Sequence, residues 1–386
     1  MSSAETESSV HLQARIGINA HLLSDETSYR RAGIHQYIAK VLQHLPLVSP
    51  DSRYIVYSRH ASRLGEKPGF DVQRSSWPTE RRLVRISWEQ TVWPMLAATS
   101  RIDLLHSMAF VAPVLSRNPN VITVFDLSFM HFPDRFPTLQ RKYLQSQTAR
   151  SCRKARRVIT ISESGRQDVH QLFQVPLGRI DVVMPGVDSH FRPLPVGEVT
   201  DFRRREALPA QVILHVGTLQ PRKNIPILLE AMAQLNRTDV LLVLAGGKGW
   251  LYEDIFARVL ELGLEEQVRF TGYVDDMTLP LWYNAATLLV FPSVYEGFGM
   301  PVVEAMACGT PVIAARSSSI PEAGGDAVKY FNPNDAAELT ARLTVVLNDD
   351  DLADSMREKG LIQARRFSWE RGGEETARVY KRVLSE

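Results

Sequence analysis

The sequence predicts an α/β protein built from two doubly wound parallel-sheet domains that face a central cleft. Short β-rich runs alternate with helical stretches in both halves of the chain, a pattern typical of parallel sheets with helical crossovers. The alternation breaks once, at the proline-containing segment VDSHFRPLP (187–195), and then restarts. The length of 386 residues also suits two domains better than one.

The first predicted domain, residues 1–190, has six β-rich runs. They are RIGINA (15–20), RYIVYS (53–58), IDLLHS (102–107), NVITVFDLS (120–128), RRVITIS (156–162) and IDVVMPG (180–186). Apolar residues at helical spacing indicate a helix at GIHQYIAKVLQHL (33–45), and TLQRKYLQSQTARSCRKA (138–155) is a second helical stretch.

The second predicted domain, residues 191–366, repeats the pattern. Its strands are QVILHVG (211–217), DVLLVLAGG (239–247), QVRFTGYV (267–274), ATLLVFPS (286–293) and TPVIAA (310–315), and its helices include NIPILLEAMAQL (224–235) and EDIFARVLELGL (253–264). Residues 367–386 form a separate charged amphipathic helix. Ligands of such sheets bind beyond the carboxyl ends of the strands, so we expect a site in the cleft between the domains.

Composition narrows the class of protein. The 44% hydrophobic and 23% charged content is that of a globular protein, and two cysteines, Cys152 and Cys308, are too few for a disulfide framework. The opening MSSAETESSV lacks the apolar core of a signal peptide, and no run of about 18 apolar residues occurs. We therefore expect a cytoplasmic protein without a membrane span. Net charge is +9 over residues 1–195 and −7 over 196–386, which favours an anionic partner on the first half.

The segment VYEGFGMPVVEAMACGTPV (294–312) carries the clearest chemical signal. A strand ends near Ser293, and Pro301 suits the first position of a helix that we expect to end at Cys308, before Gly309. Glu296 then lies in the turn before the helix and Glu304 about one turn into it. Two such carboxylates suit an acid/base pair, metal ligands or separate contacts to one ligand. The alternative is a strand–helix loop with surface carboxylates, which explains Glu304 alone about as well.

A second segment, HVGTLQPRKN (215–224), places cations at a helix start. Arg222 and Lys223 follow Gly217 and precede the helix, an arrangement that suits a pyrophosphate but also occurs as two solvated cations. Gly33 lies before the first helix of the other half, where its backbone could approach the same phosphate. Glycines before helices are common, so Gly33 alone is weak evidence.

Together these residues resemble the retaining glycosyltransferases of family 4, which have the GT-B fold of two facing Rossmann-like domains. The matching segments include HVGTLQPRKNIPILLEA (215–231), the run from Phe270 to Asp335 and FSWERGGEETARVY (367–380). The resemblance implies a first domain that binds the acceptor, a second that binds a nucleoside-diphosphate sugar, and a last helix that crosses back to the first. It also implies no cofactor and no essential metal ion.

The resemblance also implies a role for each matching residue. Glu296 matches a group at the reacting centre. It assigns the donor sugar to Glu296, Gly297, Phe298, Gly299 and Asp126. It assigns the diphosphate to Gly33, Gly217, Arg222 and Lys223. The ribose falls to Glu304, and the base to the backbone of Tyr273 and Val274.

One position departs from the family pattern. Relatives with a DLS stretch usually carry a histidine before the aspartate, and this chain has Phe125 before Asp126. The missing histidine is generally assigned to the cleft near the sugar. His106 and His131 are the candidates to replace it catalytically, although a lone histidine in such a loop is more often structural.

The resulting hypothesis is transfer of a hexose of glucose or mannose type, from a donor such as UDP-glucose or GDP-mannose, to an acceptor hydroxyl with retention. Polysaccharide or glycolipid assembly is the expected setting. A silent nucleotide-sugar-binding subunit and an epimerase of the same fold are the alternatives. A glycosidase fits less well because its two carboxylates must face each other across the scissile bond. The absence of a G-x-G-x-x-G strand–turn signature argues against a dinucleotide oxidoreductase.

The remaining partner predictions concern the acceptor and the membrane. The acceptor is expected to be a glycan or a lipid-linked glycan. Residues 141–157 carry seven cations and no acid, so a basic helix there could contact anionic lipid at the inner face of a membrane. Its cations could equally be solvated while its apolar face packs on the sheet. Nucleic acid is not expected, because only Tyr143 interrupts these charges and one aromatic ring makes no stacking platform.

Overall fold

The computed structural model describes residues 13–23, 32–59, 69–133, 137–249 and 252–386. These residues form two α/β domains, each with one parallel sheet. The predicted pair of doubly wound parallel-sheet domains is therefore confirmed. Strand interiors such as β9 and β11 below are rich in Val and Leu because helices cover both faces of a parallel sheet.

The first domain contains strands β1 to β7, joined by helices. The strands are β1 (Arg15–Asn19), β2 (Arg53–Ser58), β3 (Phe70–Arg74), β4 (Leu104–Ser107), β5 (Asn120–Val124), β6 (Arg157–Thr160) and β7 (Ile180–Val182). The helices are α1 (Ala32–Val48), α2 (Arg82–Gln90), α3 (Val92–Thr99), α4 (Ser128–His131), α5 (Thr138–Lys154) and α6 (Glu163–Phe173). The sheet order is β3-β2-β1-β4-β5-β6-β7, so the strand order reverses between β1 and β4.

The second domain follows an irregular stretch after β7 and contains strands β8 to β13. They are β8 (Gln211–Val216), β9 (Val240–Ala245), β10 (Val268–Gly272), β11 (Leu288–Phe291), β12 (Val312–Ala315) and β13 (Lys329–Phe331). The helices are α7 (Val196–Arg205), α8 (Ile225–Leu235), α9 (Glu253–Glu261), α10 (Leu279–Ala285), α11 (Met300–Ala307), α12 (Ile320–Gly324), α13 (Ala336–Asn348) and α14 (Asp350–Ala364). The order β10-β9-β8-β11-β12-β13 reverses between β8 and β11, the equivalent point of the second sheet.

The last helix, α15 (Trp369–Ser385), packs on the first domain. Its buried face contributes Trp369, Tyr380 and Val383 to the apolar core that surrounds β1 and α1. A β-carbon at Gly373 would lie 2.9 Å from His44 Cβ, so the glycine permits close approach of α15 to α1. The chain thus crosses from the second domain back to the first.

The basic segment at 141–157 differs from the prediction of one continuous helix. Helix α5 ends at Lys154, and Arg157 is the first residue of β6. The Arg157 guanidinium lies 2.9 Å from a Glu386 carboxylate oxygen and also donates to the Gly178 carbonyl. Arg157 therefore joins α15 to the sheet and does not extend a basic helix. Among the described residues, no helix combines the length and apolar character needed to cross a bilayer.

Candidate active site

The turn between β11 and α11 brings the two glutamates of the sequence motif to one edge of the second sheet. Gly299 precedes the helix with φ of +115°, a conformation that favours glycine, and Pro301 occupies its first turn. The helix runs Met300–Ala307, one residue earlier than expected, and Gly309 follows with φ of +75°. Glu296 therefore lies before the helix and Glu304 within it, as the spacing predicts.

The Glu296 carboxylate is held between two cations. Arg222 Nη1 lies 2.5 Å from Glu296 Oε2, and Lys223 Nζ lies 2.6 Å from Glu296 Oε1. Both cations come from the 3-10 turn Pro221–Lys223 that follows β8, one of the two central strands of the sheet. The sequence predicted the acid and the cations at one site, but it did not predict their direct ion pairs.

The charges of the two neighbouring cations together affect the pKa of Glu296 more than its burial does. Burial raises the pKa of Glu296, but the charges of Arg222 and Lys223 outweigh it and hold the pKa at about 2. Burial lowers the pKa of Lys223, and the neighbouring Glu296 carboxylate opposes that shift. The charge of Asp126 also favours the charged forms of both cations, so the site combines two basic and two acidic side chains, and its cations can bind an anion that displaces a carboxylate.

Glu304 has the opposite environment. It is only 8% exposed, and its Oε2 accepts a hydrogen bond of 2.8 Å from the Tyr283 hydroxyl. Burial raises its pKa to about 7, although the Tyr283 hydrogen bond lowers it; the nearby charges of Asp276 and Asp188 add to the increase. Glu304 is thus half neutral near pH 7, whereas Glu296 remains ionised.

This contrast predicts a pH-dependent affinity for any ligand whose hydroxyls donate to Glu304. Protonation removes the acceptor charge, so donor KM should rise as pH falls below about 7, approaching tenfold per pH unit for a single required deprotonation. Steady-state kinetics from pH 5.5 to 8 measures the slope. The Glu304→Gln variant should have a higher KM for this ligand, and that KM should not change with pH. A flat KM in the wild type would contradict a required Glu304 carboxylate.

The first domain approaches the glutamate turn closely. A β-carbon at Gly297 would lie 2.4 Å from the Phe125 carbonyl oxygen, so only glycine allows this contact between the domains. The Phe125 ring is buried and packs edge to face against Tyr37 and Phe110, at centroid distances of 5.2 and 6.0 Å. The Phe125 side chain therefore belongs to the first-domain core at the position where a histidine was expected. Asp126 follows it and accepts a 2.9 Å bond from the Ser128 amide.

His106 does not face the glutamate turn as a catalytic role would require; it lies inside the first domain. Its ring is buried in the first domain, with Nδ1 2.6 Å from the Tyr380 hydroxyl and Nε2 2.8 Å from Thr123 Oγ1. Burial lowers its pKa to about 3. Both ring nitrogens are occupied and the ring is neutral, so we replace the catalytic assignment by a structural one that fixes α15 on the sheet.

His131 lies where the two domains meet. Its Nε2 is 3.0 Å from Asp168 Oδ2, and its ring centroid is 4.7 Å from that of Tyr295. Tyr295 donates to the same Asp168 oxygen at 2.8 Å and accepts the Leu127 amide at 3.0 Å. Tyr295 precedes Glu296, so this network fixes the glutamate turn against the first domain. His131 is in place to orient that turn, and a catalytic role for it stays a prediction.

Sequence reasoning did not identify Tyr295, Asp168 or Glu322 as parts of the domain junction. The Glu322 carboxylate of α12 accepts the Glu163 and Ser164 amides of α6 at 2.6 and 2.7 Å, so it caps a helix of the other domain. A tyrosine directly before the motif glutamate was the available signal. No sequence signal pointed to Asp168 or Glu322, because their partners are distant in sequence.

The other residues predicted for the site differ in location and burial. Gly217 follows β8, beside the Lys223 side chain, and Gly33 is exposed near the start of α1. The Phe298 side chain belongs to the core and packs on Phe367, which leaves only its backbone for a ligand. Tyr273, which follows β10 and is 45% exposed, is adjacent to half-buried Val274; the base-binding role of both stays a prediction. Among the described residues, no three His, Cys, Asp or Glu side chains gather as a metal site.

Comparison with known proteins agrees with this arrangement. Residues 33–191 match the family model described as Glycosyltransferase Family 4, and residues 198–362 match the model described as Glycosyl transferases group 1. The O-antigen chain mannosyltransferase B of Escherichia coli is 35% identical over 284 residues, which cover 72% of this chain and 74% of that protein. D-inositol 3-phosphate glycosyltransferase 2 of Catenulispora acidiphila is 34% identical over 250 residues, 60% of this chain and 57% of that protein.

Solved structures share the two-domain fold. Sucrose-phosphate synthase from Thermosynechococcus elongatus superposes with a TM-score of 0.75 at 21% identity, covering 97% of this chain and 100% of that one. Anabaena HepE in complex with UDP and glucose gives a TM-score of 0.74 at 19% identity, covering 96% and 100%. The two family matches, the mannosyltransferase relative and the GT-B neighbours lead to one conclusion: this chain belongs to the family 4 glycosyltransferases and has the GT-B fold.

Proposed function

We propose that this glycosyltransferase moves a hexose from a nucleoside-diphosphate sugar to an acceptor hydroxyl with retention of anomeric configuration. The observation that carries the proposal is the Glu296 carboxylate bound by Arg222 and Lys223 at the carboxyl edge of the second sheet. Two converging cations that hold a carboxylate can also hold a diphosphate. Glu304 lies in the helix after the same turn, where the ribose of that nucleotide would reach it.

In the proposed mechanism, the cluster of Glu296, Arg222 and Lys223 has one state without the donor and another with the donor bound. Without donor, Glu296 neutralises much of the charge of Arg222 and Lys223. When the diphosphate binds, its oxygens take over these cations, and Glu296 becomes available to accept hydrogen bonds from sugar hydroxyls. During transfer the bond from the anomeric carbon to the diphosphate breaks, and the cations stabilise the negative charge that develops on the leaving oxygen. No essential metal ion is proposed, because these side chains supply the positive charge.

Retention does not require a protein nucleophile. The leaving phosphate oxygen can accept the proton of the acceptor hydroxyl while that hydroxyl bonds to the same face of the anomeric carbon. A double displacement would instead use a carboxylate that attacks carbon. Glu296 suits that role poorly, since two cations hold it and keep its pKa at about 2. We therefore propose Glu296 as a contact to the donor sugar.

The sugar proposed first is mannose. The relative that matches nearly three quarters of this chain at 35% identity is named an O-antigen chain mannosyltransferase. A GDP-mannose donor and a role in polysaccharide or glycolipid assembly follow as proposals, with glucose as the second candidate. The acceptor would be a glycan or a lipid-linked glycan.

A thermal-shift screen tests the donor class. UDP-, GDP-, ADP- and dTDP-hexoses are added at matched concentrations, and the melting temperature is recorded. A donor at 100 times its Kd should stabilise the protein by about 2.7 kcal/mol. We expect one base to dominate and Lys223→Met to lose the shift, while Lys359→Met, an exposed lysine of α14, keeps it. Equal shifts in Lys223→Met and the wild type would contradict the diphosphate assignment.

We also propose a peripheral contact with anionic membrane through α5, which would bring the cleft to a lipid-linked acceptor. Leu139 is 86% exposed at the start of this helix, and Lys142 and Arg150 are exposed farther along it. Arg153 and Lys154 instead donate to the Phe173 and Val114 carbonyls, so fewer cations are available than the sequence suggested.

Co-sedimentation with vesicles of phosphatidylserine and phosphatidylcholine tests the membrane contact. At about 1 kcal/mol for each cation near the surface, removing Lys142 and Arg150 by charge reversal should weaken binding by at least roughly 30-fold. Lys359→Glu with Arg365→Glu makes the same charge change at exposed positions of the second domain and should bind like the wild type. Absence of wild-type binding at low salt would refute this contact.

A further inference from the structure

Three consecutive serines lie against the glutamate turn, and none of the proposed donor contacts uses them. Ser317, Ser318 and Ser319 follow β12 and lead into α12. Strand β12 pairs in parallel with β11, so the segments that follow the two strands meet at one edge of the sheet. Ser319 is fully buried and the other two serines are half-buried.

Two of these hydroxyls hold the backbone of Glu296 itself. Ser318 Oγ accepts the Glu296 amide at 2.8 Å. Ser319 Oγ lies 2.8 Å from the Glu296 carbonyl oxygen and 3.0 Å from the Phe298 carbonyl oxygen, so its one proton is shared between them. Both backbone hydrogen-bonding groups of Glu296 are therefore bonded to side chains of one neighbouring loop.

The loop that carries these hydroxyls is itself fixed on both sides. Ser317 Oγ donates to the Ser293 carbonyl, just beyond β11, at 2.7 Å. The Arg316 amide donates to the Phe331 carbonyl of β13 at 2.8 Å, and the Ile320 amide donates to the Ser317 carbonyl at 3.1 Å. A loop tied to the neighbouring strands in this way can hold the glutamate turn at a defined position.

Ser318 has a backbone conformation that residues with a side chain avoid. Its φ is +41°, in the left-handed region where glycine has no steric penalty. In this conformation its hydroxyl accepts the Glu296 amide. Strain of this kind is found where the surrounding structure needs one particular geometry, and at Ser318 that geometry provides the bond to Glu296.

A fixed backbone matters at Glu296 because its carboxylate has to change partners in the proposed reaction. The carboxylate is now bonded to Arg222 and Lys223 at 2.5 and 2.6 Å, and these bonds also help to hold the turn. They are given up when a diphosphate binds the two cations. The bonds from Ser318 and Ser319 involve only the backbone, so they persist while the carboxylate exchanges partners.

We propose that Ser318 and Ser319 are positioning residues that fix the backbone of Glu296, so that its carboxylate moves from the cations to the donor sugar by side-chain rotation alone. A misplacement of about 1 Å at a reacting centre can lower a rate on the order of 100-fold, which gives such positioning its value. The inference rests on the proposed function, since it explains how Glu296 reaches the sugar in that reaction.

The Ser318→Gly variant tests the proposal because stability and activity should respond differently. Glycine relieves the strain at φ of +41° and removes one hydrogen bond, so the two effects oppose each other and the melting temperature should change little. We expect kcat to fall by about tenfold or more, because the glutamate turn is no longer fixed. A serine that only stabilises the fold would leave kcat unchanged in a variant of unchanged stability.

The affinity for the nucleoside diphosphate supplies the second readout. Arg222 and Lys223 come from another turn, so Ser318→Gly and Ser319→Ala should bind the nucleoside diphosphate of the preferred donor like the wild type. Calorimetry measures this affinity, and release of nucleoside diphosphate from the donor measures kcat, with hexose oligosaccharides or water as the acceptor. Ser355→Ala, at a half-buried serine of α14, should match the wild type in both quantities.

The two readouts also separate this proposal from the proposed function. A wild-type kcat in either variant would overturn the positioning role of that serine. An affinity for the nucleoside diphosphate that falls by the same factor as kcat would overturn it as well, because the variant would then have lost the whole donor site. Absence of nucleoside diphosphate binding by the wild type would instead overturn the donor assignment.

Discussion

Replacing Glu296 by alanine is expected to lower kcat by about 100- to 1,000-fold, the range seen when one preorganised electrostatic contact at a reacting centre is removed. Binding of the nucleoside diphosphate product should become tighter or stay unchanged. The reason is that Glu296 occupies Arg222 and Lys223 at 2.5 and 2.6 Å, so its removal frees both cations for the diphosphate. Steady-state kinetics and calorimetry measure the two effects separately.

Two variants control this experiment. Glu296→Gln keeps the side-chain volume but not the charge, so it should resemble alanine in nucleotide affinity. Glu358→Ala removes an exposed carboxylate of the same domain and should leave both quantities unchanged. A nucleotide affinity that falls in parallel with kcat would contradict the competition between Glu296 and the diphosphate.

Replacing Lys223 by methionine is expected to reduce the free energy of unfolding by about 1–3 kcal/mol, because one oxygen of the buried Glu296 carboxylate loses its charged hydrogen-bond donor. Lys223 is only 7% exposed and its ammonium lies 2.6 Å from Glu296 Oε1. The remaining carboxylate would be left with Arg222 as its ion-pair partner. Calorimetric or chemical unfolding measures the loss.

A double variant separates stability from function in this case. Lys223→Met combined with Glu296→Gln removes both members of this pair, so the double variant should lose less stability than the sum of the losses in the two single variants. Activity should not return, because both the cation and the acid are absent. A loss in the double variant equal to the sum of the two single losses would show that the Lys223–Glu296 pair does not contribute.

The fold was largely predictable because both sheets are parallel and covered by helices. Buried runs such as VLLVLA in β9 have few alternative structures, and their alternation with helices implies crossovers. Strand β3 escaped prediction for the opposite reason. It lies at the edge of its sheet with two exposed and three half-buried residues, so FDVQR carries little apolar signal.

The candidate site was predictable in its local parts and not in its long-range contacts. Glycine and proline positions placed Glu296 and Glu304 on turn and helix, because those residues act locally. The ion pair between Arg222 and Glu296 joins residues 74 apart, and sequence spacing does not determine such a distance. His106 shows the same limit, since its structural role depends on Tyr380, 274 residues away.

Product stereochemistry tests the central claim most directly. Wild-type protein is incubated with the donor identified by thermal shift and with an acceptor glycan, and the anomeric proton coupling of the first-formed product is read by NMR. The proposed transfer, in which the leaving phosphate oxygen accepts the acceptor proton on the same face of the sugar, predicts a product with the same anomeric configuration as the donor. An inverted anomer would contradict it, because inversion needs a general base on the opposite face of the sugar, which this account does not supply.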